Sequence, residues 1–408
     1  MTEQKTIWYI SKYLSVPADG SAGGRGYELM REFAAMGHHC VIITSDSNHL
    51  TDVPDVAGAH VVHEIDGVRV YWLRTLKFTG ARSLRRMASW LHFEWNLLRL
   101  RKRDLPRPEA VIVSSLSLLT VLNGLLLRGH FHARLIFEVR DIWPLTITEV
   151  GGYSPRNPFV AAMGMIERLG YRRADDIVGT MPNLGEHVAN VLGRPRRTHC
   201  IPMGFAPRFL DAVEPVPIEY EKAYLRHSAF VVGYAGTVGL HNALGPMLES
   251  AVDLRHDLGV HFLVVGGGDE LAEYERKYAD LPNLTFAPRV PKRMVQSVLS
   301  ACDVLYVSTH DSEVWRYGQS LNKLVDYMLA GRPIIASYSG FRSMIDEAGC
   351  GTFVPAGDVD PLVAELRRYA LMSPPERDRI GARGRDWLLA NRSYPQLADD
   401  YVKILFPQ

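Results

Sequence analysis

Short apolar runs alternate with amphipathic stretches from one end of this 408-residue chain to the other, in two successive sets. The first set comprises residues 7–10, 41–44, 61–65 with 68–73, 110–114, 135–139, 177–180 and 200–203; the second comprises 230–234, 262–265, 284–287, 304–307, 333–336 and 352–354. Runs that are apolar throughout, with a helical stretch between each and the next, are the strands of parallel sheets covered by helices on both faces. Asp66-Gly67 is the exception, because it joins two runs directly and carries the chemistry of a hairpin turn. Between the two sets, PMGFAPRFLDAVEPVP places Pro202, Pro207, Pro215 and Pro217 where they interrupt any regular element. The pattern predicts two doubly wound α/β domains, residues 1–205 and 206–385. A helical tail, 386–408, broken near NRSYPQ, is expected to pack back across the first domain.

Charge and cysteine usage narrow the function classes. With 46 basic and 45 acidic side chains the net charge is +1, which argues against general nucleic-acid binding. No apolar run reaches the roughly 18–20 residues of a membrane span. The start MTEQKTIWYISKYL lacks the charged and apolar regions of a signal peptide, so a cytoplasmic protein is expected. Cys40, Cys200, Cys302 and Cys350 are far apart and in no metal-binding spacing, so buried free thiols are expected. The charge is nonetheless uneven. Lys77, Arg82, Arg85, Arg86, Arg99, Arg101, Lys102, Arg103 and Arg107 stand against only Glu94 and Asp104, interleaved with Trp90, Leu91, Phe93, Trp95, Leu97, Leu98 and Leu100. A basic helix carrying Trp, Phe and Leu is built to lie on an anionic bilayer. Residues 80–107 are read as such a segment, against the alternative of a solvated helix packed on the core by its apolar face.

Open α/β sheets bind ligands outside the carboxyl ends of their strands, often where a Gly-rich turn opens a helix. Three such turns follow expected strands: Gly23-Gly24-Arg25-Gly26, the stretch from Gly236 to Asn242, and Gly266-Gly267-Gly268. Together they point to a phosphate-bearing ligand in an interdomain cleft. A dinucleotide is disfavoured, although Asp46 lies at a suitable distance, because residues 11–22 precede the first glycines and no ordered GxGxxG is present. GQSLNKLVDYMLAGRPIIAS, residues 318–337, reads as a helix capped by Ser320, with Leu321, Leu324, Val325 and Met328 on its apolar stripe and Gly331 at its end. Lys323 then stands at the third helical position, where the helix dipole already supplies roughly half a positive charge and a cation is disfavoured.

Several motifs together resemble a known family. GGRGYELMREFAAMGHHCVIIT, FEVRDIWP, YRRADDIVGTMPN followed by CIPMGF, VGYAGTVGL, ACDVLYVS, NKLVDYMLAGRPIIAS and GCGTFVPAGD occur in this order over nearly the whole chain. They look like those of a family 4 retaining glycosyltransferase of the GT-B fold, and more narrowly are similar to the bacterial branch that builds O-antigen, capsule and exopolysaccharide units. The resemblance implies two Rossmann-like domains facing across a cleft, the C-terminal one holding a nucleotide-sugar and the N-terminal one receiving the acceptor. It implies no metal and no other cofactor. It also implies that Asp326 holds the ribose hydroxyls and that Asn322-Lys323 meets the diphosphate, so the cation and the helix dipole address the same anion. The chain departs from the pattern twice. Gly318 stands where many members carry a carboxylate for the donor sugar, and the loop Gly236, Thr237, Val238, Gly239, Leu240, His241, Asn242 lacks the Arg and Lys that many place there.

Donor-binding candidates are therefore Gly236, Thr237, Gly239, Asn242, Gly266, Gly267, Arg289, Arg316, Ser320, Leu321, Asn322, Lys323 and Asp326, and acceptor-side candidates are Gly23, Gly24, Arg25, Glu138 and Trp143. The catalytic candidates are Lys323 on the leaving diphosphate, Asp141 as acceptor of the hydroxyl proton and Arg140 on an acceptor phosphate. An Arg140–Asp141 pair that only fixes the loop is the competing reading. The expected activity is retaining transfer of an N-acetylhexosamine or deoxyamino sugar from a uridine diphosphate sugar to a lipid-linked or saccharide acceptor. The expected place is the inner face of the cell membrane, in surface polysaccharide synthesis. A nucleotide-sugar epimerase of the same fold and a non-catalytic two-lobed sugar-binding protein are the alternatives.

Overall fold

The computed structural model describes residues 3–17, 23–48, 53–78, 84–149, 151–226, 230–257 and 259–407. The chain divides into two compact units, Met1–Ala206 with Tyr394–Gln408, and Pro207–Ser393.

Unit 1 is built on an eight-stranded sheet. Its strands are β1 (Thr6–Ile10), β2 (His39–Ser45), β3 (His60–Ile65), β4 (Val68–Leu73), β5 (Ala110–Ser114), β6 (Arg134–Val139), β7 (Asp176–Gly179) and β8 (His199–Cys200). Their spatial order is β3-β4-β2-β1-β5-β6-β7-β8. Every pairing is parallel except β3 with β4, where Ile65 faces Val68 across the turn expected at Asp66-Gly67; both turn residues have positive φ, 51° and 76°. β1 and β5 are buried at every residue, as strands covered on both faces must be. The chain turns to opposite sides after β1, so the strand order reverses between β1 and β5. The strand expected over 200–203 stops at Cys200. The carbonyls of Ile201 and Pro202 accept from the Arg25 guanidinium instead, and Pro202 has no N–H to donate.

The helices α1 (Arg25–Ala35), α2 (Leu84–Arg99) and α3 (Thr120–Phe131) belong to this unit. α2 packs on the unit by one apolar face, as the solvated-helix reading expects, and carries a second apolar stripe on the outside. Trp90, Phe93 and Leu97 are buried against the unit, while Met87, Leu91, Trp95 and Leu98 are exposed at helical spacing along the outside. Arg99 lies over the exposed Trp95 ring at 5.6 Å. One cation expected on the surface serves the helix itself: Lys102 Nζ donates to the carbonyls of Leu97 and Leu98 at the C-terminus. Arg82 and the rest of 79–83 lie outside the described residues.

Unit 2 is a six-stranded parallel sheet of β9 (Phe230–Thr237), β10 (Val260–Gly267), β11 (Leu284–Ala287), β12 (Val304–Ser308), β13 (Ile334–Ser337) and β14 (Gly351–Val354), in the order β11-β10-β9-β12-β13-β14. Tyr234, Leu248, Phe262, Val304, Tyr306 and Leu366 are among the residues of its core. The order reverses between β9 and β12, which are in register only at Val232 with Val304 and Gly233 with Leu305. Beyond those pairs the two strands no longer share a ladder.

The helices α4 (Asn322–Leu329) and α5 (Pro374–Asn391) cover this unit, and α6 (Tyr394–Leu405) returns to unit 1. The tail expected to cross at 386 therefore crosses eight residues later, at Tyr394. The reason is packing, since α5 lies on α4, Arg385 donates to the Leu329 carbonyl and Gly384 sits against Cys350. Cys40, Cys302 and Cys350 are buried free thiols, but Cys200 is exposed.

Candidate functional site

The start of α4 stands at the switch point of unit 2. Tyr327 supplies the backbone of β9 with what the parted strands no longer share: its hydroxyl accepts from the Ala235 N–H at 2.9 Å and donates to the Ala235 carbonyl at 3.3 Å. One turn earlier, Lys323 Nζ donates to Asn242 Oδ1 and, at 3.1 Å, to the Tyr234 hydroxyl, and lies 4.7 Å over the Tyr234 ring. The Tyr234 hydroxyl in turn donates to the Thr237 carbonyl at 2.6 Å, so its oxygen is free to accept from the lysine. Asn242 is held in place through its carbonyl, which accepts from Ser308 Oγ at 2.7 Å. Burial pulls the Lys323 pKa down from 10.5 to about 8. Asn242 and Tyr234, which hold this ammonium, are both uncharged.

The cap expected at Ser320 is one residue off. Leu321, in extended conformation, is the N-cap, and it makes no side-chain cap hydrogen bond. Lys323 is accordingly the second helical residue. The shift follows from Gly318, whose φ of 100° turns the chain late and leaves an extended step into the helix. A helix that opens without a side-chain cap keeps unsatisfied N–H groups, and those groups with a cation beside them form an anion site. Asn322, exposed, begins it.

The glycine turns have a different explanation from the expected one. Gly236 pairs with Gly266 and Thr237 with Gly267 as the last steps of the β9–β10 ladder. A Cβ on Gly266 would lie 1.9 Å from the Gly236 carbonyl oxygen, so the glycine is required by backbone packing. Gly239, extended, starts the short turn Leu240–Asn242. Exposed Arg289 donates to the Gly267 carbonyl at 2.8 Å, across the end of β10. Arg316 is exposed and pairs with Glu313 at 3.3 Å. Asp326 accepts from Lys292 Nζ through both oxygens, each at 2.5 Å, so any ribose it holds shares the carboxylate with that ammonium. Tyr234, Tyr327 and Lys292 were not legible as site residues. The tyrosines lie in apolar runs, and Lys292 is 34 residues from its partner.

In unit 1 the carboxyl edge is dominated by groups that answer one another. Arg25 and Glu138, expected to face an acceptor, form an ion pair at 2.7 Å with both side chains fully buried. Glu138 also accepts from the Tyr9 hydroxyl at 2.7 Å and the Tyr401 hydroxyl of α6 at 3.1 Å. Burial alone would raise the Glu138 carboxyl, but Arg25 and then Arg140 hold it below its ordinary value. These two residues tie β1, β6, α1 and α6 together and are closed to ligand. Gly23 and Gly24 donate their N–H groups to Glu28 Oε1 at 2.9 Å and the Ser15 carbonyl at 2.8 Å, so neither is left for an acceptor.

Arg140 and Asp141 are placed differently. They follow β6, and Ser115, just past β5, fixes their loop by accepting from both backbone N–H groups and donating to the Asp141 carbonyl. Asp141 is exposed and Arg140 half-buried. Trp143 packs edge-on against Trp90 at 5.6 Å, with its indole N–H enclosed and unpartnered. Lys12, just past β1, was missed. It is fully buried, donates to the Ser47 carbonyl at 3.1 Å and lies over the rings of Tyr13 and Phe78. Burial brings its pKa down to about 7, against the attraction of Asp46. Glu94 of α2 is pushed up to about 7 by burial, although Thr120, Asn123 and Ser117 donate to it. Its only signal in the sequence was an acid in a basic, aromatic helix.

Comparison with known proteins places both units. Residues 23–204 match the family described as Glycosyl transferase 4-like domain, and residues 229–370 match Glycosyl transferases group 1. No curated protein matches the chain. Among solved structures, a sucrose-phosphate synthase from Thermosynechococcus elongatus superposes with a TM-score of 0.72 at 18% identity, covering 98% of each chain. A trehalose-6-phosphate protein from E. coli bound with UDP-2-fluoro glucose gives 0.73 at 14%, again over 98% of each. The lipopolysaccharide glycosyltransferase WaaG gives 0.66 at 15%, over 98% of this chain and 100% of that one. With a 4-like unit followed by a group 1 unit, and two Rossmann-like parallel sheets shared with these structures, the chain is a glycosyltransferase of the GT-B type.

Proposed function

We propose that unit 2 binds a uridine diphosphate sugar and that the sugar is transferred, with its anomeric configuration retained, to a lipid-linked or saccharide acceptor received by unit 1. The observation that carries this reading is Lys323, a half-buried cation bonded to the uncharged Asn242 and Tyr234 at the start of α4. As the bond to the sugar breaks, negative charge grows on the departing diphosphate. An ammonium and a helix N-terminus already in place stabilise that charge without reorganising. Asp326 takes the ribose hydroxyls alongside Lys292. In unit 1, Arg140 takes an acceptor phosphate and Asp141 the proton of the attacking hydroxyl. HepE from Anabaena, of the same fold at 13% identity, was solved in complex with UDP-glucose, which supports the choice of nucleotide.

The lipid-linked acceptor is supported by α2. Its outer stripe of Met87, Leu91, Trp95 and Leu98, with Arg85, Arg99, Arg101 and Arg103 exposed beside it, suits an anionic bilayer surface. Among the described residues no helix is long and apolar enough to cross a membrane, so in this reading the protein rests on the inner face of the cell membrane. A thermal-stabilisation panel of nucleoside diphosphates and their sugars tests the donor assignment. A ligand at about a hundred times its dissociation constant adds about 2.7 kcal/mol. Uridine diphosphate is expected to raise the midpoint of unfolding, and no shift with any nucleotide would sink the reading.

A further inference from the structure

We infer that Gln319 reads the transferred sugar, and that this sugar carries a carboxamide, the N-acetyl group of an amino sugar. The inference rests on the donor-binding function proposed for unit 2 and sharpens it.

Gln319 is only 5% exposed, yet neither its Oε1 nor its Nε2 has a hydrogen-bond partner. A carboxamide offers an acceptor oxygen and two N–H donors. Leaving both ends unmade in a buried place costs free energy, and native structures rarely leave such groups without a water or a ligand. The residue stands in the segment 318–321 that leads into α4. Gly318 turns the chain, Gln319 follows, and four residues later Lys323 reaches Asn242.

A nucleoside diphosphate sugar is laid out as nucleoside, diphosphate, sugar. With the diphosphate at Lys323 and the ribose at Asp326, one turn further into the helix, the sugar falls to the segment before the helix. A second unsatisfied group lies just past β12, beside the turn Leu240–Asn242 that Lys323 reaches through Asn242. Thr309 Oγ1 is buried and unpartnered, between Ser308, bonded to the Asn242 carbonyl, and His310, bonded to the Leu240 carbonyl. Thr309 lines a cavity of about 350 Å³ with Leu240, Ala243, Tyr274, Glu270 and Asp311, whose two carboxylates disfavour an anionic substituent.

The chemistry of these groups selects the substituent. The segment Gly318, Gln319, Ser320, Leu321 carries no charge, so an ionised substituent would be buried there without an answering group. A sugar hydroxyl bonded through its single hydrogen or its oxygen answers one end of the Gln319 side chain. An acetamido group presents an N–H and a C=O together and answers both ends at once.

The test is calorimetric binding of uridine diphosphate, its N-acetylhexosamine conjugate and its plain hexose conjugate to the full chain and to Gln319→Met and Gln319→Glu. The wild-type protein is expected to prefer the acetamido donor over the hexose donor by about 100-fold. Both variants are expected to lose that preference while uridine diphosphate itself binds as before. The methionine variant, relieved of an unsatisfied amide, is expected to be at least as stable without ligand. A wild-type protein that binds uridine diphosphate but shows no preference overturns the inference and leaves the donor reading standing. So does a preference that survives in either variant, which would assign the amide to a buried water. Loss of uridine diphosphate affinity in the variants would assign Gln319 to the nucleoside and also overturn it. Failure of the wild type to bind any nucleotide would remove both readings.

Discussion

The two units leave different things unanswered at their carboxyl edges. Unit 1 seals its strongest cation, Arg25, against the carboxylate of Glu138, with two tyrosine hydroxyls and two backbone carbonyls completing the set. Past β6 it leaves Asp141 exposed, and elsewhere the outer stripe of α2 is uncovered and apolar. Unit 2 half-buries Lys323 against a phenol and an amide, at a helix start whose N-cap Leu321 makes no side-chain cap hydrogen bond. A matched buried pair is architecture, because each partner offsets the desolvation cost of the other and neither can be removed alone without a large loss. A half-buried cation with neutral partners has no opposite charge to offset that cost, and its pKa is lowered. Lys12 lies between the two cases, lowered as well, yet with Asp46 pulling the other way. The contrast is what supports proposing an anionic ligand for unit 2 and a membrane-borne one for unit 1.

The largest effect should come from breaking the matched pair. Arg25→Met leaves Glu138 charged and buried, and denaturant unfolding should report a loss of about 3–5 kcal/mol; unchanged stability would mean the pair is not the structural centre described. Lys323→Met should behave in the opposite way. Its stability is expected to hold or rise, while turnover falls by about 100–1,000-fold, the usual consequence of removing one preorganised group that meets developing negative charge. The same lysine sets a pH dependence. Its pKa in the free protein is lowered to about 8, so it is charged below that value and neutral above it. Uridine diphosphate affinity should therefore decline as pH rises through about 8, and titration of Lys323→Met should show no such decline. A profile identical in both proteins would remove Lys323 from the diphosphate. The smallest effect concerns the uncovered apolar face. Leu91→Asp with Trp95→Asp should lower sedimentation with vesicles containing anionic lipid by about tenfold, without loss of fold. Equal sedimentation would return α2 to the status of a solvated helix.

Much of the fold was legible because strand burial leaves a local signature. Strands β5 and β11 span the same residues as their apolar runs, and the Asp66-Gly67 hairpin follows from two residues that tolerate positive φ. The candidate site was legible in part. Lys323 stood out because a cation in the first turn of a helix conflicts with its dipole. Ser320 misled because a good capping residue does not cap when the chain arrives extended one step later. Arg25 and Glu138 looked like site residues for a sound reason, charged groups next to the carboxyl ends of strands, yet each finds the other 113 residues away.

By itself the sequence determined the succession of buried strands and covering helices in two doubly wound domains, the hairpin at Asp66-Gly67, and the presence of a charged helix start in the second domain. These follow from short-range periodicity and turn chemistry, which a few consecutive residues carry whole. The tertiary structure alone decided which charges are matched. Lys323 meets Tyr234 across 89 residues and Asn242 across 81, and Glu138 meets Tyr401 across 263. No local pattern encodes such partners. Whether a buried cation becomes architecture or a ligand site depends on what the folded chain brings beside it, since the cost of its burial is offset by that neighbour or left for the ligand to offset.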